Sequence, residues 1–153
     1  MELRLRAYQP EDFEALYAID QACYVPGIAY SKRMLRWFLR LPRAECLVAE
    51  AGDQIVGFIL VEHEGEYAHI ITIDVLAPQR RRGLGAALLE AAEQSLAARG
   101  VLHVELETAT DNQAAIAFWQ KHGYRTIAVL KRYYLNRLDA YSMHKPIPAS
   151  KEK

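Results

Sequence analysis

Hydrophobic and polar positions change period several times along the chain, and each change marks an element. Residues 3–8 alternate, with Leu3 and Leu5 set against Arg4 and Arg6, and the run stops at Pro10; that is a half-buried strand meeting a turn. Asp12 stands where a helix cap belongs. Phe13, Leu16, Tyr17 and Ile19, with Asp20, recur at helical spacing until Val25, Pro26 and Gly27 break the pattern. Ser31 opens a second helical stripe through Met34, Leu35, Phe38 and Leu39, which ends near Pro42. Residues 46–50 and 55–62 are apolar strands around the turn 51–54. A second turn at 63–66 leads into a third strand over 67–75, so the middle of the chain is an antiparallel meander.

Beyond Pro78 the period lengthens again. Leu84, Leu88, Ala91, Ala92, Ser95 and Leu96 form a helical stripe that Gly100 stops. Residues 101–107 alternate as a strand, with Leu102, Val104 and Leu106 on one face and His103, Glu105 and Glu107 on the other. Asn112 begins a further helix through Ala115, Ile116 and Trp119, closed by Gly123. Two last strands fall near 124–130 and 140–144, joined by a loop over 132–139. The order of elements predicts a mixed α/β sheet in one domain over residues 1–147, with a solvated tail at 148–153.

Composition narrows the function classes. The 153 residues suffice for a core without disulfides or a structural metal. With 19 basic and 19 acidic residues the chain has no net field to draw it to nucleic acid or an anionic membrane, so any anion site is local. Cys23 and Cys46 are too few for a disulfide framework and too far apart for a zinc motif, although one bridge between them stays formally open. No metal site is expected. Charges interrupt the first residues, and no stretch approaches the roughly 18 apolar residues of a membrane span. The expected location is the cytoplasm, as a monomer or homodimer.

Residues 75–85 carry the cofactor signal. They leave a strand, turn, and enter an amphipathic helix, with Arg80, Arg81 and Arg82 followed by Gly83 and Gly85. A helix amino terminus presents unpaired N–H groups and the positive end of its dipole, and the glycines clear side chains from a phosphate's path. This is a pyrophosphate cradle. It lacks the Gly-Lys-Ser/Thr ending of an ATP loop and the Gly-x-Gly-x-x-Gly of a dinucleotide fold.

Arg80-x-x-Gly83-x-Gly85 after an apolar strand resembles the acetyl-CoA signature of the GNAT acetyltransferase superfamily, and the likeness extends from Leu3 to about Ile147. The resemblance implies an α/β (α+β) fold whose central mixed, mostly antiparallel sheet is flanked by helices and splays at the acetyl-CoA site. It assigns cofactor contacts to Ile73, Asp74, Val75, Arg80, Arg81, Arg82, Gly83, Leu84, Gly85 and Ala86. Residues 112–124 resemble the family's asparagine-started helix, which adds Asn112, Ala115, Phe118 and Trp119. Tyr133 and Tyr134, followed by residues 139–143, are similar to the loop and last strand of RimI-like enzymes that acetylate protein amino termini. There the tyrosine pair helps bind the peptide backbone.

Acetyl transfer needs a neutral amine and a proton for the departing thiolate. A peptide α-amino group of pKa about 8 is neutral in roughly a tenth of molecules at pH 7, against fewer than about one in a thousand for a lysine amine near 10.4. Glu107 is the first candidate base, matching a glutamate of RimI-like enzymes; His69 is the second, since imidazole titrates in the useful range. Trp119 stands where those enzymes carry a tyrosine acid, and an indole N–H gives no useful proton. Tyr124, Tyr133 and Tyr134 are the substitutes, with Tyr124 demoted because an aromatic after a helix-closing glycine is usually core. Val25, Pro26 and Tyr30 lie on the loop where the family lines its peptide entrance. The expected substrates are therefore acetyl-CoA and a peptide or protein N-terminus. A small amine or lysine side chain, or a CoA-binding module without chemistry, are the alternatives.

Overall fold

The alternating run at the start becomes β1 (Leu3–Ala7), an edge strand laid along β2 (Ala44–Ala51). The computed structural model describes residues 3–80 and 82–148. Arg81 and the expected tail beyond Pro148 lie outside those residues. The meander of β2, β3 (Gln54–Glu64) and β4 (Tyr67–Val75) is antiparallel throughout, as its tight turns require. A parallel neighbour needs a crossover, and α3 (Leu84–Ala98) supplies it, returning the chain to β5 (His103–Ala109) beside β4. Helix α4 (Gln113–Lys121) then leads to the hairpin of β6 (Arg125–Tyr134) and β7 (Leu138–Pro146), with β7 inserted next to β5. Among the described residues this gives one seven-stranded sheet in the order β1-β2-β3-β4-β5-β7-β6.

Helices bury the two faces separately. Helices α1 (Phe13–Cys23) and α2 (Lys32–Leu39) set Phe13, Leu16, Ile19 and Leu35 on Val48, Phe58 and Leu60. On the other face, Leu84, Leu88 and Leu96 of α3 and Trp119 of α4 pack on Ile59, Ile70 and Leu106. Ser31 caps α2 as expected, its Oγ accepting from the Met34 N–H at 3.1 Å. Asp12 does not cap α1 with its side chain. Its carboxylate instead takes Arg6 at 2.9 Å and the Gln9 N–H at 2.7 Å, tying β1 to the short turn before the helix.

One irregularity sets up the site. Val61 pairs with Ile70 and Leu60 with Thr72, so Ile71 is an extra residue in β4. A bulge of this kind reverses the phase of alternation. Ala68 and Ile70 before it, and Ile73 and Val75 after it, join the α3 side, whereas Thr72 and Asp74 turn toward α1. Beside it, a Cβ on Gly57 would stand 2.8 Å from the Asp74 carbonyl oxygen, so only glycine lets β3 pass this close. Gly57→Ala is expected to lower stability by about 1–3 kcal/mol through overpacking, read as an earlier urea midpoint with an unchanged slope.

Candidate active site

Strands β4 and β5 pair at Tyr67↔His103, Ala68↔Val104 and His69↔Glu105, and beyond that they part. His69 is thus the last paired residue of β4, and Glu107 is the next residue of β5 on the same face after Glu105. At this fork His69 Nε2 lies 2.7 Å from Glu107 Oε1. A carboxylate has only lone pairs to offer, so Nε2 supplies the proton and the neutral ring keeps its free lone pair on Nδ1. Burial works against the imidazolium, but the hydrogen bond and charge of Glu107, with Glu62 and Glu105 farther off, outweigh it and raise the pKa of His69 above its ordinary value. The Tyr133 hydroxyl donates to the same Glu107 oxygen at 3.4 Å. Two residues weighed from the sequence as rival bases are therefore one unit.

Two segments wall this fork. In the loop between α1 and α2 the Tyr24 hydroxyl donates to the Ile73 carbonyl at 3.2 Å and the Tyr30 hydroxyl to that of Ile71 at 3.4 Å, both on the part of β4 that has left β5. Val25 and Pro26 are exposed at the rim. Opposite, the expected loop over 132–139 is much shorter than its sequence suggests, because β6 continues to Tyr134 and β7 begins at Leu138. A bulge lets the ladder resume: Arg132 has a φ of 54°, and its N–H donates to Asp139 Oδ1 at 2.9 Å. Tyr133 and Tyr134 end β6 with their rings edge to face, 4.9 Å between centroids. The walls touch, since a Cβ on Gly27 would collide with the Leu135 side chain. A cleft of about 240 Å³ opens beside His69, lined by Glu62, Glu64, Tyr67 and Glu105.

At the other end of β4, roughly 20 Å along the strand at about 3.3 Å per residue, lies the start of α3. Gly83 sits at its N-cap with a φ of 80°, and no side chain among the described residues caps it. A Cβ there would meet no atom within 4 Å, so the space before the free amides is open. Gly85 has a second reason to be small: its Cβ would press on the Phe118 ring at 3.3 Å. Arg80 Nε donates to the Val75 carbonyl at 2.8 Å, and Arg82 is exposed beside Gln79. A groove of about 380 Å³ continues from Gly83 and Ala86 past Glu90 to His122 and Lys145. Asn112 caps α4, accepting from the Ala115 N–H at 3.1 Å. These features fit a diphosphate and its extended arm: open amides, a glycine in the left-handed region with clear space before it, and a strand free of its neighbour.

The sequence matches the acetyltransferase (GNAT) family over residues 13–124. The chain belongs to the GNAT acetyltransferase family. It is 29% identical over 148 residues to the N-alpha-acetyltransferase of Sulfurisphaera tokodaii, covering 84% of this chain and 87% of that protein. The ribosomal-protein-S18-alanine N-acetyltransferase of Escherichia coli superposes with a TM-score of 0.89 at 26% identity, over 99% of this chain and 98% of its own. Ard1 of Thermoplasma volcanium does so at 0.87 and 30% identity, over 97% and 99%.

Trp119 is only 5% exposed, edge to face with Phe118 and Tyr124, and serves the core. Tyr124 makes a poor proton source: its ring is buried, its hydroxyl already donates to Glu93 at 2.7 Å, and burial with the Glu93 charge pushes its pKa up. Tyr124→Phe is expected to leave kcat within about twofold while costing about 1 kcal/mol of stability, the loss of one hydrogen bond, measurable by steady-state kinetics and urea unfolding. The Asp74 carboxyl faces α1, which leaves only its main chain to serve a cofactor. His122 and Lys145 in the groove were not singled out from the sequence, nor was Cys23, whose thiol lies 3.5 Å from the Val75 carbonyl and Arg80. Both cysteines are free, which closes the formal option of a bridge. Asp20 had the one legible signal, a charge on an apolar stripe.

Proposed function

We propose that this acetyltransferase moves the acetyl group of acetyl-CoA onto the α-amino group of a protein N-terminus in the cytoplasm. The observation that carries this reading is the hydrogen-bonded His69–Glu107 pair at the fork of β4 and β5, with Tyr133 on the same carboxylate. The amides at Gly83, Leu84, Gly85 and Ala86 hold the diphosphate, and Arg82 adds charge at its rim. Ile73 and Val75 lie on the part of β4 that would hold the arm. When bound, acetyl-CoA supplies the activated carbonyl.

The chain's own residues handle the amine. Glu107 fixes the imidazole and stabilises its charged form, and His69 Nδ1 takes the proton that the amine must lose. A positioned base of this kind is worth about 10² to 10⁴ in rate. An α-amine near pKa 8 asks little of such a base, whereas a lysine amine asks far more. Tyr30, Tyr133 and Tyr134 frame an entrance with exposed apolar residues, suited to a peptide's first side chain. Relatives named for N-alpha acetylation, in Sulfurisphaera tokodaii and as N-alpha-acetyltransferase 30 in Schizosaccharomyces pombe, support the same substrate. Two free thiols, and no helix among the described residues long and apolar enough to cross a membrane, fit the cytoplasm.

The acidic cleft beside His69 favours a second reading, a small polycationic amine as acceptor. Mass spectrometry separates the two. The purified enzyme with acetyl-CoA is offered unblocked peptides, the same peptides with blocked amino termini but free lysines, and a panel of polyamines and aminoglycosides. Acetylation confined to the unblocked α-amine is expected; turnover only on the small amines would overturn the proposal.

A further inference from the structure

Two buried carboxyls outside the reacting groups face each other behind the fork. Asp20 on α1 and Asp74 on β4 are both 0% exposed. One oxygen of each is satisfied: Asp20 Oδ2 accepts the Tyr30 N–H at 2.7 Å, and Asp74 Oδ1 accepts the Thr72 hydroxyl at 2.5 Å. The other two, Asp20 Oδ1 and Asp74 Oδ2, are buried and find no donor among the described residues except the facing carboxyl. Two carboxylates so placed would repel in a medium that screens them poorly, and each would keep an unpaired oxygen. A single proton between them removes both faults.

We propose that Asp20 and Asp74 share one proton, and that this carboxyl pair is the positioning device that fixes Tyr30 and the loop between α1 and α2 against β4 at the amine entrance.

The chain of contacts runs from strand to substrate wall. Asp74 donates the proton to Asp20, Asp20 holds the Tyr30 N–H, and the Tyr30 hydroxyl reaches the Ile71 carbonyl beyond the last β5 pairing. Burial, then the hydrogen bond and charge of Asp20, hold the carboxyl of Asp74 well above the usual carboxylate range, with Thr72 and Arg80 opposing weakly. The other titratable groups facing the pair are Cys23, Tyr24 and Tyr30 from the α1 side and Cys46 from β2. Burial leads in raising each of them, so they stay neutral, and among the described residues Arg80 is the cation that acts on Asp74. The bulge at Ile71 is what makes the arrangement available, because without it Asp74 would point to the α3 side.

The substrate half of this inference rests on the acetyltransferase reading, whereas the proton and the anchor are tested without it. Infrared difference spectroscopy at neutral pH is expected to show the C=O stretch of a buried carboxylic acid that the isosteric double variant Asp20→Asn/Asp74→Asn lacks; no such band overturns the shared proton. Hydrogen exchange is expected to find the Tyr30 amide protected in the wild type and in Asp20→Asn but open in Asp20→Ala; equal protection in all three overturns the anchor. In kinetics, Asp20→Ala is expected to raise the KM for the amine substrate about tenfold or more, the loss of a hydrogen bond to a charged group, with kcat and acetyl-CoA affinity within about twofold. Asp20→Asn restores that KM. A KM unmoved by Asp20→Ala overturns the positioning role, whereas absence of turnover in the wild type strikes the substrate reading and leaves the first two results intact.

Discussion

Gly83→Glu is expected to weaken acetyl-CoA binding by more than about a hundredfold, because it spoils the proposed cradle twice. The residue holds a φ of 80°, where a non-glycine backbone is strained by about 1–3 kcal/mol. The new carboxylate would also stand in the open space before the free amides of α3, where the diphosphate charge belongs. Strain and repulsion are separable. Gly100, past the far end of α3, has a φ of 89° and equally open surroundings, so Gly100→Glu carries the same backbone penalty without the charge at the site. Calorimetric titration with acetyl-CoA is expected to show binding lost in the first variant and kept in the second.

His69→Ala is expected to lower kcat by about 10² to 10⁴, the usual worth of a positioned base, and to leave acetyl-CoA affinity alone. Glu107→Gln follows the same direction with a smaller loss, since the imidazole remains but its charged form is no longer stabilised. Groups that act as one unit do not add. The double variant is therefore no slower than His69→Ala within about threefold, and a product of the two single losses would mean that the residues act independently.

The glycine-flanked start of α3, to which the proposal assigns the cofactor, was legible in the sequence because it is local: strand, glycines and helix follow one another within residues 75–85. Caps at Ser31 and Asn112 were legible for the same reason. The amine end was only half visible. His69 and Glu107 each stood out, but their 2.7 Å bond depends on the register of two strands joined by a long crossover, which periodicity does not encode. The bulges were invisible. Strict alternation through residues 67–75 puts Asp74 on the wrong face, and the unalternating run over 132–139 looks like a loop when a positive φ at Arg132 lets pairing resume. Trp119 in place of a tyrosine drew attention as a chemical oddity, and its burial against Tyr124 shows a packing residue instead.

With His69 as the proposed base, its protonation links pH to both stability and rate. Its raised pKa means that the ion pair with Glu107 contributes fully below the ordinary value of 6.5 and that this contribution fades as pH climbs through the raised value. Catalysis runs the other way, for only the neutral ring accepts a proton. The acid limb of kcat/KM in the wild type is therefore expected above the ordinary imidazole value. Glu107→Gln removes the carboxylate that does most to hold it there, and burial, the largest single influence, then pulls the pKa down against Glu62 and Glu105 only. The most direct measurement is kcat/KM against pH on one unblocked peptide for the wild type and Glu107→Gln, since the amine's own titration is common to both and cancels. A limb that moves to lower pH in Glu107→Gln, over a reduced plateau, is the expected result; a limb that stays in place would contradict the assignment of the His69–Glu107 pair as the base.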